Sequence, residues 1–122
     1  MSHFTHIKTR FQNLFYLEKS LTCLNIAYNK KSLNDSNTTL VIPQSNNCDI
    51  EFIWNNKEYE LKTDLQLWKQ EHSIENFIDK ISQQYAGEVI VGESQKLGFQ
   101  PIQYKQNSDG SNTLVLERWN HN

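Results

Sequence analysis

One stripe of residues constrains this chain more than any other. Ile74, Phe77, Ile78, Ile81 and Tyr85 recur at i, i+3, i+4, i+7 and i+11, which is one face of an amphipathic helix. Ser73 stands at the N-cap position, and Glu75 falls in the first turn, where the helix dipole favours a carboxylate. Gly87 reads as the stop. Such a face has to be buried against a second layer. The residues that follow supply part of one, a hairpin that turns at Asn107-Ser108-Asp109-Gly110, a strong turn signal. Leu114 and Leu116 fall on one face of its last strand, Val115 and Trp119 on the other. Between helix and hairpin, Glu88 to Val91 has two readings. Its β-branched composition says strand, while its flanks permit a second helical segment through Lys96. Leu97-Gly98 fits a helix C-terminus, with the glycine free to take a positive φ.

The N-terminal half reads as elements that pack against this unit. His3 to Lys8 alternates as a first strand. Thr9 to Gln12 is a T-x-x-Q capping box, followed by Phe11, Leu14, Leu17, Leu21 and Leu24 at helical spacing. That helix should end near Asn25, with Ile26-Ala27-Tyr28 as a short strand leaving it. Lys30 to Asn37 is polar and turn-rich and reads as a loop. Thr38 to Ile42 is a strand stopped by Pro43. Ile50, Phe52 and Trp54 alternate with Glu51 and Ile53, then Tyr59 and Leu61 alternate with Glu58, Glu60 and Lys62. This is a hairpin with one apolar face, and Ile53 interrupts its polar side. The expected architecture is α+β: a single domain over residues 1–122, a mainly antiparallel sheet of hairpins, and two principal helices packed on one face.

Composition narrows the function classes. The chain has 122 residues, a hydrophobic share of 37% and a formal net charge of −2. Six Phe, five Tyr and three Trp give a chain of this size enough area for one core. No basic stripe points to a nucleic acid held mainly by charge. Cys23 and Cys48 form no C-x-x-C and read as small buried hydrophobes in a reducing compartment. No apolar run reaches membrane-spanning length. The N-terminus lacks the features of a signal or transit peptide, so the expectation is a product that works where it is made. Ala and Arg number two each while Asn, Lys and Ile abound, a bias that points to an AT-rich genome.

Candidate chemistry is thin. His3, His6 and His72 are three metal-ligand types, but i and i+3 on a strand face opposite ways. Glu51, Glu58 and Glu60 line the polar side of one hairpin, with Asp79, Glu88 and Glu93 further on. Acid–base work would need one of them in an apolar pocket, and a solvated face is the favoured reading. Gly87 and Gly92 in G-x-x-x-x-G-E-S lack the lysine of a phosphate loop. Trp54, Trp68, Tyr104 and Trp119, near Lys69, Lys96, Lys105 and Arg118, compose a stacking surface for single-stranded RNA, with core filling as the favoured alternative. Trp119, close to the C-terminus, is the aromatic that best fits a partner anchor. The residues imply no cofactor and no catalytic set.

Several segments together resemble a known family. They are M-S-H-F, I-K-T-x-F, D-L-Q-L-W, Q-Q-Y-A, V-G-E-S-x-K-L-G-F-Q-P and the closing D-G-S-x-x-L-V-L-x-R-W. The ordered set is similar to the hypothetical chloroplast reading frame thirty-five family of cyanobacteria and algal plastids, a domain of unknown function. The resemblance covers nearly the whole chain and implies a plastid location, in the stroma. It implies no activity. It does imply an accessory or adaptor role through protein contact, with an AAA-type ATPase as the partner. The expected contact surface is an apolar patch on the uncovered sheet face, at Ile53, Trp54 and Trp119. An RNA-binding module and a small enzyme are the alternatives. Exposed aromatics flanked by lysine would favour the first, and a pocket of converging polar groups the second.

Overall fold

The computed structural model describes residues 4–34, 37–45 and 48–118. Strand β1 (Phe4–Lys8) leads into helix α1 (Leu14–Cys23), then strands β2 (Asn29–Asn34), β3 (Asn37–Ile42), β4 (Ile50–Trp54) and β5 (Tyr59–Asp64). A short 3-10 turn at Leu65–Leu67 precedes the long helix α2 (Ile74–Lys96), and strands β6 (Phe99–Gln106) and β7 (Asn112–Arg118) close the chain. The main sheet is antiparallel, in the order β1-β5-β4-β3-β2. Helix α1 therefore carries the chain from one sheet edge to the other, and four strands meander back until β5 docks on β1. The expected α+β architecture is the one found.

Both helices cover the same sheet face. Leu17 and Leu21 of α1 and Ile74, Phe77 and Ile81 of α2 are buried with Leu40, Ile42, Ile50, Phe52 and Leu61 of the sheet. The opposite face carries Glu51 against Lys62 and Ile53 against Glu60 in register. Trp68 stacks edge-on at 5.2 Å from Phe77, and Trp54 lies 5.1 Å from Tyr59. Both tryptophans pack against the core, so neither offers a free ring for base stacking.

Several boundaries differ from the sequence reading, each for a local reason. Lys30 to Asn34 is not loop but most of the edge strand β2. Its polar residues fit an edge that needs no second apolar face, and Lys30 Nζ pairs with Glu18 Oε1 of α1 at 2.9 Å. Helix α1 is capped by Asn13, whose Oδ1 accepts from Tyr16 N at 3.2 Å, and not by Thr9. The Thr9 hydroxyl donates to the Tyr59 carbonyl and accepts from Phe11 N at 3.1 Å. Tyr59 N in turn donates to Phe11 O at 2.8 Å. Residues 9–11 thus run on beside β5, and Phe11 enters the core ahead of the helix, 2% exposed. Asn25, with φ 59°, ends the α1 turn. Residues 26–28 form no regular element before β2 begins.

Helix α2 runs through Gly87 to Lys96, which resolves Glu88 to Val91 as helix. Glycine stops a helix by taking a positive φ, and Gly98 does so after α2, while Gly110 takes one in the hairpin turn. Ser73 caps the start, accepting from Asn76 N at 3.3 Å. Gly98, at φ 87°, turns the chain into the β6–β7 hairpin, which pairs with itself as a separate two-stranded sheet and returns along α2. Its turn closes with Asn107 N donating to Ser111 O at 2.7 Å and Gly110 N to Asn107 O at 3.1 Å. A register shift follows Pro101, the residue that cannot donate to the ladder. The side chains of Leu114 and Leu116 lie outside the described residues.

Gly92 is where the two helices meet most closely. A Cβ there would come within 2.4 Å of the Tyr16 hydroxyl and 2.6 Å of its Cε1. Tyr16 is only 5% exposed, and an aromatic ring cannot fold away as a flexible chain would. Overpacking costs about 1–3 kcal/mol, of which better helix propensity returns up to about 1 kcal/mol. Gly92→Ala should therefore lower the melting temperature, and a Tyr16→Leu background should shrink the further cost of Gly92→Ala in a thermal double-mutant cycle. Equal costs in the two backgrounds would show that the ring is not what the methyl meets.

Candidate functional site

The C-terminal half of α2 outruns the core that its first half covers. Ile74, Phe77 and Ile81 are buried, yet Ile90 is 48% exposed. Beside this stretch lies the segment that joins β1 to α1. Between them runs a groove of about 570 Å³. One wall is Lys8, Thr9, Arg10 and Phe11; the other is a row along α2 of Ile78, Ser82, Tyr85, Ala86, Val89 and Ile90. From Ile78 to Ile90 the row spans roughly 18 Å of helix.

The polar tips in the floor are already engaged. The Tyr85 hydroxyl accepts from Gln12 N at 3.1 Å and from Asn13 N at 3.0 Å, which holds the start of α1 against α2. Its ring packs on Phe11 at 4.8 Å between centroids. Thr9 is occupied by the Tyr59 carbonyl and Phe11 N. What remains open is the mainly apolar row on α2, which includes the Ser82 side chain, with Lys8 and Arg10, both exposed, at the mouth. Among the described residues the lining holds no acid, histidine or cysteine. Neither Lys8 nor Arg10 forms an ion pair among the described residues. Chemically this arrangement can bury an apolar surface and attract a negative one.

A second cluster sits where α1 crosses α2. Glu88, 9% exposed, accepts from Gln84 Nε2 at 2.8 Å and from Cys23 Sγ at 3.3 Å. Lys19 Nζ stands 3.6 Å from its other oxygen. Cys23 is exposed rather than buried, because it is the last residue of α1 and its sulfur reaches sideways to α2. Loss of solvent around the sulfur, then the hydrogen bond and charge of Glu88, push its pKa above the ordinary thiol value, with Lys19 pulling the other way. An activated cysteine is shifted downward; the shift here runs the other way, and the contacts tie the two helices together.

Two of the three contact residues expected from the sequence are among the described residues. Ile53 and Trp54 are neighbours on β4 and point to opposite faces; Trp54 packs on Tyr59 while Ile53 stands among Glu51, Glu60 and Lys62. Trp119 and His3 lie outside the described residues, as do the side chains of Tyr104, Lys105 and Arg118. His6 is exposed on β1, its Nδ1 3.6 Å from Glu60 Oε2. His72 is also exposed, and its carbonyl accepts from Trp68 Nε1 at 2.7 Å. Among the described residues no group of three or more His, Cys, Asp or Glu is placed to hold a metal ion. No helix among them is long and apolar enough to cross a membrane. Reading Gly87 as a stop hid the groove. Ser82, Ala86 and Val89 continue the spacing from Ile78 at i+4, i+8 and i+11, and a helix carried through Gly87 would have exposed that row.

Comparison with known proteins gives a consistent picture. A family model described as a protein of unknown function, DUF1257, matches residues 20–115. "Uncharacterized protein ycf35" of Trieres chinensis is 58% identical over 124 residues, covering 95% of this chain and 97% of that protein. The proteins of the same name from Pyropia yezoensis and Guillardia theta are 41% and 40% identical, over 99% and 98% of this chain and 100% and 98% of theirs. No solved structure matches the chain.

The Cys23 environment is open to a direct check. In a Cys48→Ser background, Cys23 should alkylate with iodoacetamide at pH 8 more slowly than free cysteine, since a raised pKa leaves less thiolate. Glu88→Gln removes the neighbouring charge, so the rate should rise, with the helical circular dichroism unchanged. A slower rate in that variant would contradict the assigned cause.

Proposed function

This chain belongs to the DUF1257 family, and we propose that it is a non-enzymatic accessory protein that works by binding another protein. The match to relatives named ycf35 supports a plastid location; the stroma is the compartment we assign within it. The observation that carries the reading is the apolar row on α2. Exposed Ile90, with Val89 and Ala86, offers apolar surface beside two cations without ion-pair partners among the described residues. Patches of this kind, rimmed by charge, mark contact sites. The partner class that the family resemblance implies is an AAA-type ATPase. An RNA-binding module is the alternative; Trp54 and Trp68, two of the aromatics it would use, are partly buried and pack against the core.

The test is affinity capture of the tagged chain from plastid lysate, with and without nuclease, beside an Ile90→Asp variant. A stoichiometric protein partner should survive nuclease and be lost from the variant. Recovery of RNA, or loss of every partner on nuclease treatment, would overturn the reading and favour RNA.

A further inference from the structure

We infer that the groove receives an amphipathic helix of the partner, with its apolar face on α2 and acidic side chains toward Arg10 and Lys8. The inference rests on the adaptor reading and deepens it by naming the chemistry of the contact.

Shape supports a helix. The row on α2 has Ile78 at one end and Ile90 at the other, with Ser82 and Ala86 between them. Two small residues one turn apart leave a trough, and a second helix packs by laying its ridge into such a depression. The roughly 18 Å length matches about three turns of a guest helix. That is enough for anchors at i, i+3 or i+4, and i+7, the usual pattern of a helix bound in a groove. A small polar ligand fits less well, because the Tyr85 hydroxyl and the Thr9 side chain are already bonded to backbone.

Charge decides the flank of the guest. Lys8 and Arg10 at the mouth are exposed and form no ion pair among the described residues. The four ion pairs that do form among the described residues engage His6, Lys19, Lys30 and Lys96. The whole chain carries a formal charge of −2 and so repels an acidic guest at long range. A preference for acid has then to be local, and Lys8 and Arg10 are the cations that line this mouth. A second copy is a poorer guest: the exposed side of α1 presents Phe15 beside Lys19, an apolar residue flanked by a cation.

The experiment uses the full chain and two fluorescein-labelled synthetic peptides of about four helical turns. Both carry the same leucine stripe; one is flanked by glutamates, the other by lysines. Fluorescence anisotropy at low salt should show the glutamate peptide binding roughly tenfold tighter, the scale of two partly shielded ion pairs. Lys8→Gln with Arg10→Gln should erase that preference, weakening the glutamate peptide and tightening the lysine peptide that the two cations repel. Ile90→Ser, an exposed and uncharged change, should weaken both peptides equally. The inference is overturned if the chain binds neither peptide or does not discriminate between them. It is equally overturned if it keeps its preference in the double glutamine variant, or if its self-association, followed by sedimentation, is what Ile90→Ser abolishes. A partner captured from lysate that ignores Lys8 and Arg10 would leave the adaptor reading standing and remove this one.

Discussion

Two tyrosines decide where α1 sits on α2, and the rest of the fold depends on that seat. The Tyr85 hydroxyl takes the first free N–H groups ahead of α1, from Gln12 and Asn13. Tyr16, three residues beyond Asn13, lays its ring against the bare Cα of Gly92. The two rings meet edge-on at 6.3 Å. One contact is polar and orients; the other is steric and sets distance. Together they satisfy donors that a helix start would otherwise leave open, and they hold α1 in the diagonal path from β1 to β2. Without that path the meander from β2 to β5 could not return to pair with β1.

Buried polar groups reinforce the same layout. Gln44, 8% exposed, donates to the Cys48 carbonyl and accepts from Lys69 N at 2.9 Å and from Gln70 Nε2 at 3.2 Å. It joins the β3–β4 connection to the segment that leads into α2. Glu18 accepts from Tyr28 at 3.0 Å and pairs with Lys30, fastening β2 to α1. Each such group is costly to bury unless its partner is in place, so these contacts select one arrangement of loops. Thr63 Oγ1 is the exception among the described residues, buried with no hydrogen-bond partner; nothing in the structure explains it.

What could be read from the residues follows from how local each signal is. The Ile74–Tyr85 face, the Ser73 cap, the Asn107–Gly110 turn and the Ile50–Leu61 hairpin depend on neighbours within a few positions, and all are found. Strand β2 was hidden because an edge strand needs no apolar alternation, and Lys30 finds its partner in α1. The continuation of α2 was hidden because a glycine reads alike whether it ends a helix or sits inside one. The exposed sulfur of Cys23 was missed because cysteine composition favours burial and its contact with Glu88 is 65 positions away. The groove is the least local feature, since its walls come from residues 8–11 and 78–90.

In the contact we propose, the distribution of charge favours the helical side over the open sheet face. On the sheet, His6 stands beside Glu60, Glu51 faces Lys62 in register, and Lys62 Nζ lies 4.5 Å from the centre of the Phe4 ring. Asn55 Nδ2 also donates to Glu60, at 3.1 Å. A partner docking there would have to desolvate groups that already compensate one another, and gain little beyond Ile53. At the mouth of the groove the balance is reversed. Arg10 and Lys8 are exposed and form no ion pair among the described residues, although Lys8 stands opposite Glu60 in the β1–β5 register. The apolar row beside them gains by leaving water, at about 25 cal/mol per Å². Binding is favoured where exposed charge lies next to uncovered apolar area, and on the proposed reading the groove on α2 offers both.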